Sequence, residues 1–250
     1  IICLHFVIVL NFSNILAYGS QKKRDFILYI EMQKYAVIVA GGSGTRMQSL
    51  LPKQFIEVLG QPILMHTLEA FAFDSIEIIL VLPVSQIDFW NDLCKKHAFE
   101  IPHKVVEGGS ARFHSVNNGL NSIEGDGLVA IHDGVRPLIA RDIIQMAYSV
   151  AAEKGNAIVS VPLKDSIREY TTSQNKMVDR NNYRLIQTPQ TFQVSLIKEA
   201  FKTEFIESFT DDASVLEALG KTIHLIDGDY RNIKITTPED LKVAQAFLRD

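Results

Sequence analysis

From Met32 onward the chain repeats one pattern, a short Val- and Ile-rich run followed by a segment of helix length. The runs are Tyr35 to Val39, Glu77 to Leu82, Leu128 to Ile131 and Ala157 to Val161, each the length of a strand buried on both faces. Strands joined through a helix pair in parallel, and a parallel sheet has both faces covered. The pattern therefore predicts an α/β domain, a Rossmann-like, mostly parallel twisted sheet with helices on both faces. Helices are expected at Ile63 to Phe73 behind Pro62, Gln86 to His97 capped by Ser85, Ala111 to Leu120, Arg141 to Lys154, and Ser195 to Phe205. Residues 162–187 break the rhythm with short alternating polar pieces, which predicts a protruding β-arm. The alternation resumes through Thr222 to Ile226 and Asn232 to Ile235. It ends in a helix from Pro238 that Thr237 caps. No internal repeat interrupts 32–250, so this stretch reads as one domain.

Residues 1–31 stand apart. The opening IICLHFVIVLNFSNILAY is apolar, but His5, Asn11, Ser13 and Asn14 interrupt it, and it falls short of the roughly 20 apolar residues that cross a membrane. Its basic cluster, Lys22-Lys23-Arg24, follows the apolar run, whereas a secretory signal carries its charge in front. With Met32 directly ahead of the first strand, residues 1–31 are read as upstream sequence translated in frame and excluded from the fold. The rival reading is a genuine anchor or targeting segment. A 47% hydrophobic and 22% charged composition excludes a disordered, collagen-like or disulfide-stapled chain. Net charge of −4 leaves no global positive field for a nucleic acid, so any phosphate site must be local. Cys3 and Cys94 have no metal-binding spacing, and a reducing cytoplasm is expected.

The first strand runs directly into Gly41-Gly42-Ser43-Gly44-Thr45-Arg46-Met47. Glycines at the end of a strand let backbone amides approach a phosphate or a base closely, so a nucleotide is the expected guest. A dinucleotide fingerprint from Gly42 would need glycine at position 47, where Met47 stands, and a P-loop would need Gly-Lys in place of Met47-Gln48. Neither template fits. What remains is a glycine loop bearing Arg46, with Lys53 following in Leu51-Pro52-Lys53-Gln54.

A strand followed by GGSGTRM and LPKQF resembles the nucleotidyltransferases that make nucleotide-activated sugars and polyols. Further segments match in order: EGGSARFHSV (Glu107 to Val116), HDGVRP (His132 to Pro137), VDRNNY (Val178 to Tyr183), TPQTF (Thr188 to Phe192), TDDAS (Thr210 to Ser214), and NIKIT with TPEDL (Asn232 to Leu241). Together these cover nearly all of the region from Met32. They resemble the 2-C-methyl-D-erythritol 4-phosphate cytidylyltransferase family of the non-mevalonate isoprenoid pathway.

That resemblance implies transfer of CMP from CTP to a polyol phosphate with release of pyrophosphate. The phosphate attacks as a dianion, since its second pKa is about 6, and needs no general base. Bringing two polyanions together requires cations and positioning. By resemblance Arg46 and Lys53 stabilise the transition state, and Arg180 and Lys234 join them as catalytic residues. Ala40, Gly41, Gly42 and Gly44 meet the nucleotide through main-chain groups, with Gly109, Ser110 and Ser115 at base and ribose. The second substrate meets Asp133, Arg136, Ser166, Thr188 and Thr210. Mg²⁺ is the expected cofactor, with Asp133 as a ligand, directly or through water. The residue matching Arg180 lies on the β-arm and reaches into the partner subunit's site in this family, which implies a homodimer.

Other roles stay open for several of these residues. Ser110 also reads as the cap of the following helix, and Arg180 as a surface ion-pair partner of Asp179 or Glu169. Asp211 and Asp212 read as helix-start acids. His132 reads as a packed or hydrogen-bonded strand-end residue, and His66, His114 and His224 likewise. The rival activities are transfer to ribitol 5-phosphate, a nucleotide-binding regulator without catalysis, and a dehydrogenase. The cations Arg46, Lys53, Arg180 and Lys234 speak against the second, and Met47 against the third.

Overall fold

The four Val- and Ile-rich runs are all strands, and they lie in one sheet. The structure is a computed structural model that describes residues 32–42, 47 and 51–249; the expectation for residues 1–31 lies outside the described residues. The runs form β1 (Lys34–Val39), β4 (Glu77–Leu82), β6 (Leu128–Asp133) and β7 (Asn156–Pro162). With β5 (Lys104–Glu107), β10 (Arg184–Gln193) and β11 (Leu225–Asp227) they make a seven-stranded sheet in the order β11-β7-β10-β6-β1-β4-β5. Strand β10 runs antiparallel to both of its neighbours, and the other pairs are parallel. The mostly parallel α/β reading holds.

Pairing register sets which side chains share a face. Ile158, Gln190, Ile131, Val37 and Ile79 stand in one row across five strands. The four apolar members are core residues packed with Val116 and Leu120 of α3 (Arg112–Asn121), Ile197 of α5 (Val194–Ala200) and Leu216 of α6 (Asp212–Ala218). Each such side chain contributes about 1.5–3 kcal/mol on leaving water. The alternate residues Ala36, Ile38, Ile78 and Leu80 are also fully or nearly fully buried, as expected of a sheet covered on both sides. Helix α4 (Arg141–Lys154) packs against β6, β7 and β10. It buries Ile143, Ile144, Ala147, Tyr148 and Ala151 as one stripe, and it ends at Gly155 in the left-handed region at φ 88°. The Tyr148 hydroxyl donates to the Tyr35 carbonyl at 2.7 Å.

Several boundaries differ from the sequence reading. Helix α1 (Ile63–Phe71) stops two residues early, and α5 ends at Ala200, short of Phe205. Helix α2 (Val84–Lys96) starts behind Pro83, so Ser85 lies inside it and caps nothing. Asn232 to Ile235 is not a strand: the Ile235 amide donates to the Val135 carbonyl in the loop after β6, and no ladder forms there. The arm is the two-stranded ribbon β8 (Arg168–Tyr170) and β9 (Asn175–Met177), and residues from Arg184 onward already belong to β10. Unforeseen elements are β5, β10 and the small ribbon of β2 (Glu57–Val58) with β3 (Gln61–Pro62). The final helix, α7 (Pro238–Phe247), starts as expected, with Pro238 in its first turn and a capping box between Thr237 and Asp240. Among the described residues no helix is long and apolar enough to cross a membrane.

Gly119 tests how tightly α3 sits on the sheet. A Cβ there would stand 2.6 Å from Val37 Cγ1 and 3.0 Å from Val81 Cγ2, which overrides the ~1 kcal/mol that alanine gains in a helix. Gly119→Ala should lower unfolding free energy by about 1–3 kcal/mol in urea titrations; an unchanged or raised midpoint would contradict this packing.

Candidate active site

Parallel strands deliver their carboxyl ends to one edge of the sheet, where open α/β folds bind ligands. A cleft of about 240 Å³ lies there. Ala40, Gly41 and Gly42 line it from the end of β1, and Gly109, Ser110 and Ser115 from the start of α3. Lys53, Asp133 and Lys234 join them, although far apart in the chain. Gly44 and Arg46 lie outside the described residues. A wider depression of about 590 Å³, bordered by Phe113, His114, Phe201 and Phe205, contains none of the residues singled out from the sequence as site residues.

Lys53 opens a single 3-10 turn, Lys53–Phe55, that is buried throughout. Two neighbours hold that turn. Phe55 packs edge-on against Phe89 at 5.1 Å and stacks on Trp90 at 6.3 Å, both on α2. Gln54 donates its side-chain amide to the Ala40 carbonyl at 2.8 Å and to Gln86 Oε1 at 2.7 Å. The lysine stem is thereby set beside the glycine loop, with its Cε 3.5 Å from where a Cβ on Gly42 would stand. On the opposite segment, Ser115 Oγ accepts from the Gly109 amide at 3.1 Å and donates to the Ala111 carbonyl at 3.0 Å. Gly109 has to be glycine, because a Cβ would lie 2.3 Å from His114 Cβ. Helix α3 takes Ala111 as its N-cap without a side-chain bond, so Ser110 is not its cap.

Asp133, the last residue of β6, is the electrostatic centre. Its Oδ2 meets Lys234 Nζ at 3.0 Å and Arg136 Nε at 3.3 Å, and its Oδ1 faces Arg112 Nε at 3.7 Å. Burial alone would raise this carboxyl, but the charges of Arg112, Lys234 and Arg136 outweigh it and hold Asp133 well below the usual carboxylate range. Behind it, the Asp133 amide donates to Thr188 Oγ1 at 3.1 Å. His132 bonds Thr188 Oγ1 through Nδ1 and the Arg136 carbonyl through Nε2, each at 3.1 Å. A carbonyl only accepts, so Nε2 carries the proton, and Nδ1 accepts from the Thr188 hydroxyl. His132 is thus the packed, hydrogen-bonded histidine expected from the sequence.

Arg136 and Thr188 therefore support the cleft from behind. Ser166, Arg180 and Thr210 are exposed and are not among its lining residues. Arg180 donates to the Lys164 carbonyl, and Glu169 pairs with Lys176, so among the described residues the alternative role of Arg180, an ion pair with Asp179 or Glu169, is not seen. Asp211 does cap α6 through a capping box. Asp212 does something else: it takes a two-pronged ion pair from Arg112, with both N···O distances at 2.7 Å. Arg112, Gln54 and Asn232 were missed. Arg112 lay inside the EGGSARFHSV segment as a helix-start residue, and nothing local marked its partner. Asn232 donates to the Thr188 carbonyl at 2.8 Å, and its own carbonyl accepts from Arg136 Nη1 at 2.7 Å. The irregular segment carrying Lys234 is held this way.

No group of three His, Cys, Asp or Glu side chains that could hold a metal exists among the described residues. Among the described residues, Asp133 Oδ1 carries only the longer Arg112 contact. The donor set thus fits Mg²⁺ as one carboxylate can, with water and substrate phosphates supplying the remaining ligands.

His132 gives this site a pH signature. Burial pushes the imidazole from 6.5 down to about 4, so the unfolded chain takes up a proton that the folded one refuses. Its contribution is complete above pH 6.5 and is lost as pH falls toward 4; the Asp133 contribution is lost only below its ordinary 3.8. Between about pH 7 and pH 5 the unfolding free energy should drop by about 2 kcal/mol. His132→Gln should flatten that slope in denaturant titrations, and an equal slope in both proteins would exclude His132 as its source.

The family model described as 2-C-methyl-D-erythritol 4-phosphate cytidylyltransferase (IspD) matches residues 34–250. Proteins of that name from Phocaeicola vulgatus and Bacteroides thetaiotaomicron are 49% and 50% identical over 219 residues, covering 87% of this chain and 100% of each relative. Among solved structures, 4-diphosphocytidyl-2C-methyl-D-erythritol synthase from Anaerococcus prevotii superposes with a TM-score of 0.75 at 29% identity, covering 89% of this chain and 99% of its own. The 2-C-methyl-D-erythritol 4-phosphate cytidylyltransferase of Thermus thermophilus gives 0.68 at 29% identity, covering 86% and 98%. With the family model, the relatives and the fold all in agreement, this chain belongs to the 2-C-methyl-D-erythritol 4-phosphate cytidylyltransferase (IspD) family.

Proposed function

We propose that this chain transfers CMP from CTP to the phosphate of 2-C-methyl-D-erythritol 4-phosphate and releases pyrophosphate, a step of isoprenoid biosynthesis. The observation that carries the reading is the cleft itself. Glycine main chain and buried Lys53 stand on one side, and Lys234, Arg136 and Arg112 gather around a single carboxylate on the other. Such a cleft suits two polyanions that repel each other and must be brought to contact distance.

In this reading Ala40, Gly41 and Gly42, with Gly109, Ser110 and Ser115, seat the nucleotide. Hydrogen bonds to the cytosine edge, rather than charge, select CTP. Lys53 and Arg46 meet the negative charge that grows on the α-phosphate as the acceptor oxygen attacks and pyrophosphate departs. The acceptor phosphate, already dianionic, meets Lys234 and needs no base, while Asp133, Arg136 and Thr188 hold that lysine and its segment from behind. Asp133 with bound water would hold Mg²⁺, which supplies charge neutralisation of the triphosphate. Ser166, Thr210 and Arg180 complete the acceptor site. Arg180 does so from a partner subunit, since Tyr170 and Met177 on the ribbon are 76% and 74% exposed and offer an apolar surface to a second copy. The setting is the cytoplasm.

Pyrophosphate release from CTP with 2-C-methyl-D-erythritol 4-phosphate, run beside ribitol 5-phosphate, tests the substrate. Faster turnover of the ribitol acceptor would replace this reading, and CTP binding with no release from either would make the chain a nucleotide-binding regulator. Lys53→Ala should lower turnover by roughly two orders of magnitude or more. Mixing inactive Lys53→Ala and Arg180→Ala chains should restore activity, because a mixed dimer contains one intact site; no recovery after subunit exchange would remove the cross-subunit role of Arg180.

A further inference from the structure

The Arg112–Asp212 pair stands out because stability does not explain it. Asp212 has a side chain only 1% exposed, while that of Arg112 is 31% exposed and lines the cleft. Burying an ion pair removes two charges from water, and well-packed apolar residues in its place are often as stable or more so. Capping does not explain it either, since Asp211 already caps α6. Yet the position of Asp212 is fixed from several sides. Gln190, the polar residue between Ile158 and Ile131 in the row across the sheet, donates to Asp211 Oδ2 at 2.9 Å and accepts from the Ala213 amide at 2.8 Å. The start of α6 is thus tied to β10 on both sides of Asp212.

A guanidinium held at both Nη atoms by one carboxylate cannot rotate. Its Nε edge is then directed at Asp133 Oδ1, 3.7 Å away, and the residue lines the cleft. Arg112 is also the first residue of α3, directly after the Gly109 to Ala111 segment, and Asp212 stands two residues after Thr210. The pair therefore joins the segment that seats the nucleotide to the segment that carries an acceptor contact. We propose that Arg112 is a further phosphate-binding residue of this cleft and that Asp212 is the positioning residue that sets its guanidinium. The proposal rests on the cytidylyl-transfer reading above.

The test uses three variants in the full chain, each assayed for pyrophosphate release with separate KM values for CTP and acceptor, and for thermal unfolding. Arg112→Lys keeps the charge and loses the fork, and Asp212→Asn keeps the shape and loses the carboxylate. The double variant Arg112→Met with Asp212→Leu removes the ion pair and leaves no buried charge unpaired. All three should lower kcat/KM by at least about tenfold, and the double variant should do so while unfolding at or above the temperature of Asp212→Asn. Which KM rises identifies the phosphate that Arg112 meets. A double variant with unaltered kcat/KM would make the pair structural and overturn the proposal. So would full activity in both single variants. Absence of release by the unsubstituted chain would instead overturn the reading of function, and this inference with it.

Discussion

One carboxylate organises the carboxyl edge of this sheet. Asp133 is buried at the end of β6 with Lys234, Arg136 and Arg112 around it. A lone buried carboxylate would be protonated or expelled, and three cations pressed together without it would repel one another. Each charge makes the others tolerable. The cations also come from three separate parts of the chain, so their meeting depends on the sheet, α3 and the segment after β11 all being in place. The net result is positive, which favours anionic ligands while leaving the chain as a whole at −4.

The groups behind this centre carry no net charge and serve to aim it. Thr188 takes the Asp133 amide and offers its hydroxyl to His132, and His132 gives its proton to the Arg136 carbonyl. Asn232 ties Thr188 to the segment bearing Lys234. Gln54 performs the equivalent task on the other side, where its amide joins the Ala40 carbonyl to α2 and so fixes the turn from which Lys53 projects. Charged side chains positioned by buried neutral networks lose little freedom when a ligand arrives, which is how a cleft is pre-organised for phosphate chemistry.

Periodicity exposed most of the fold. The four apolar runs are strands with bounds close to those read, and Thr237-Pro238-Glu239-Asp240 is a capped helix start as its letters indicate. Strands that escaped are those whose pattern is weak by itself. Lys104–Glu107 is an edge strand with two apolar residues, and Arg184–Gln193 carries Pro189 and a register shift between Ile186 and Gln190. Asn232 to Ile235 erred in the opposite direction. Its alternation reads as a strand, but its groups are spent on Val135, Arg136 and Thr188, which leaves none for a ladder.

From the letters alone came the order of elements, the glycine loop and the matched segments, because each is a property of neighbours along the chain; most side chains of the cleft came through the family resemblance that those segments carry. Tertiary structure alone decided that Asp212 serves Arg112, one hundred residues away, that Gln54 and Asn232 are buried couplers, and that Lys234 reaches Asp133 from an irregular segment. A local pattern specifies how a few residues coil or extend. A carboxylate's partner is selected by whichever cation the packed sheet and helices bring within reach, and that distance is written nowhere in the spacing of the sequence.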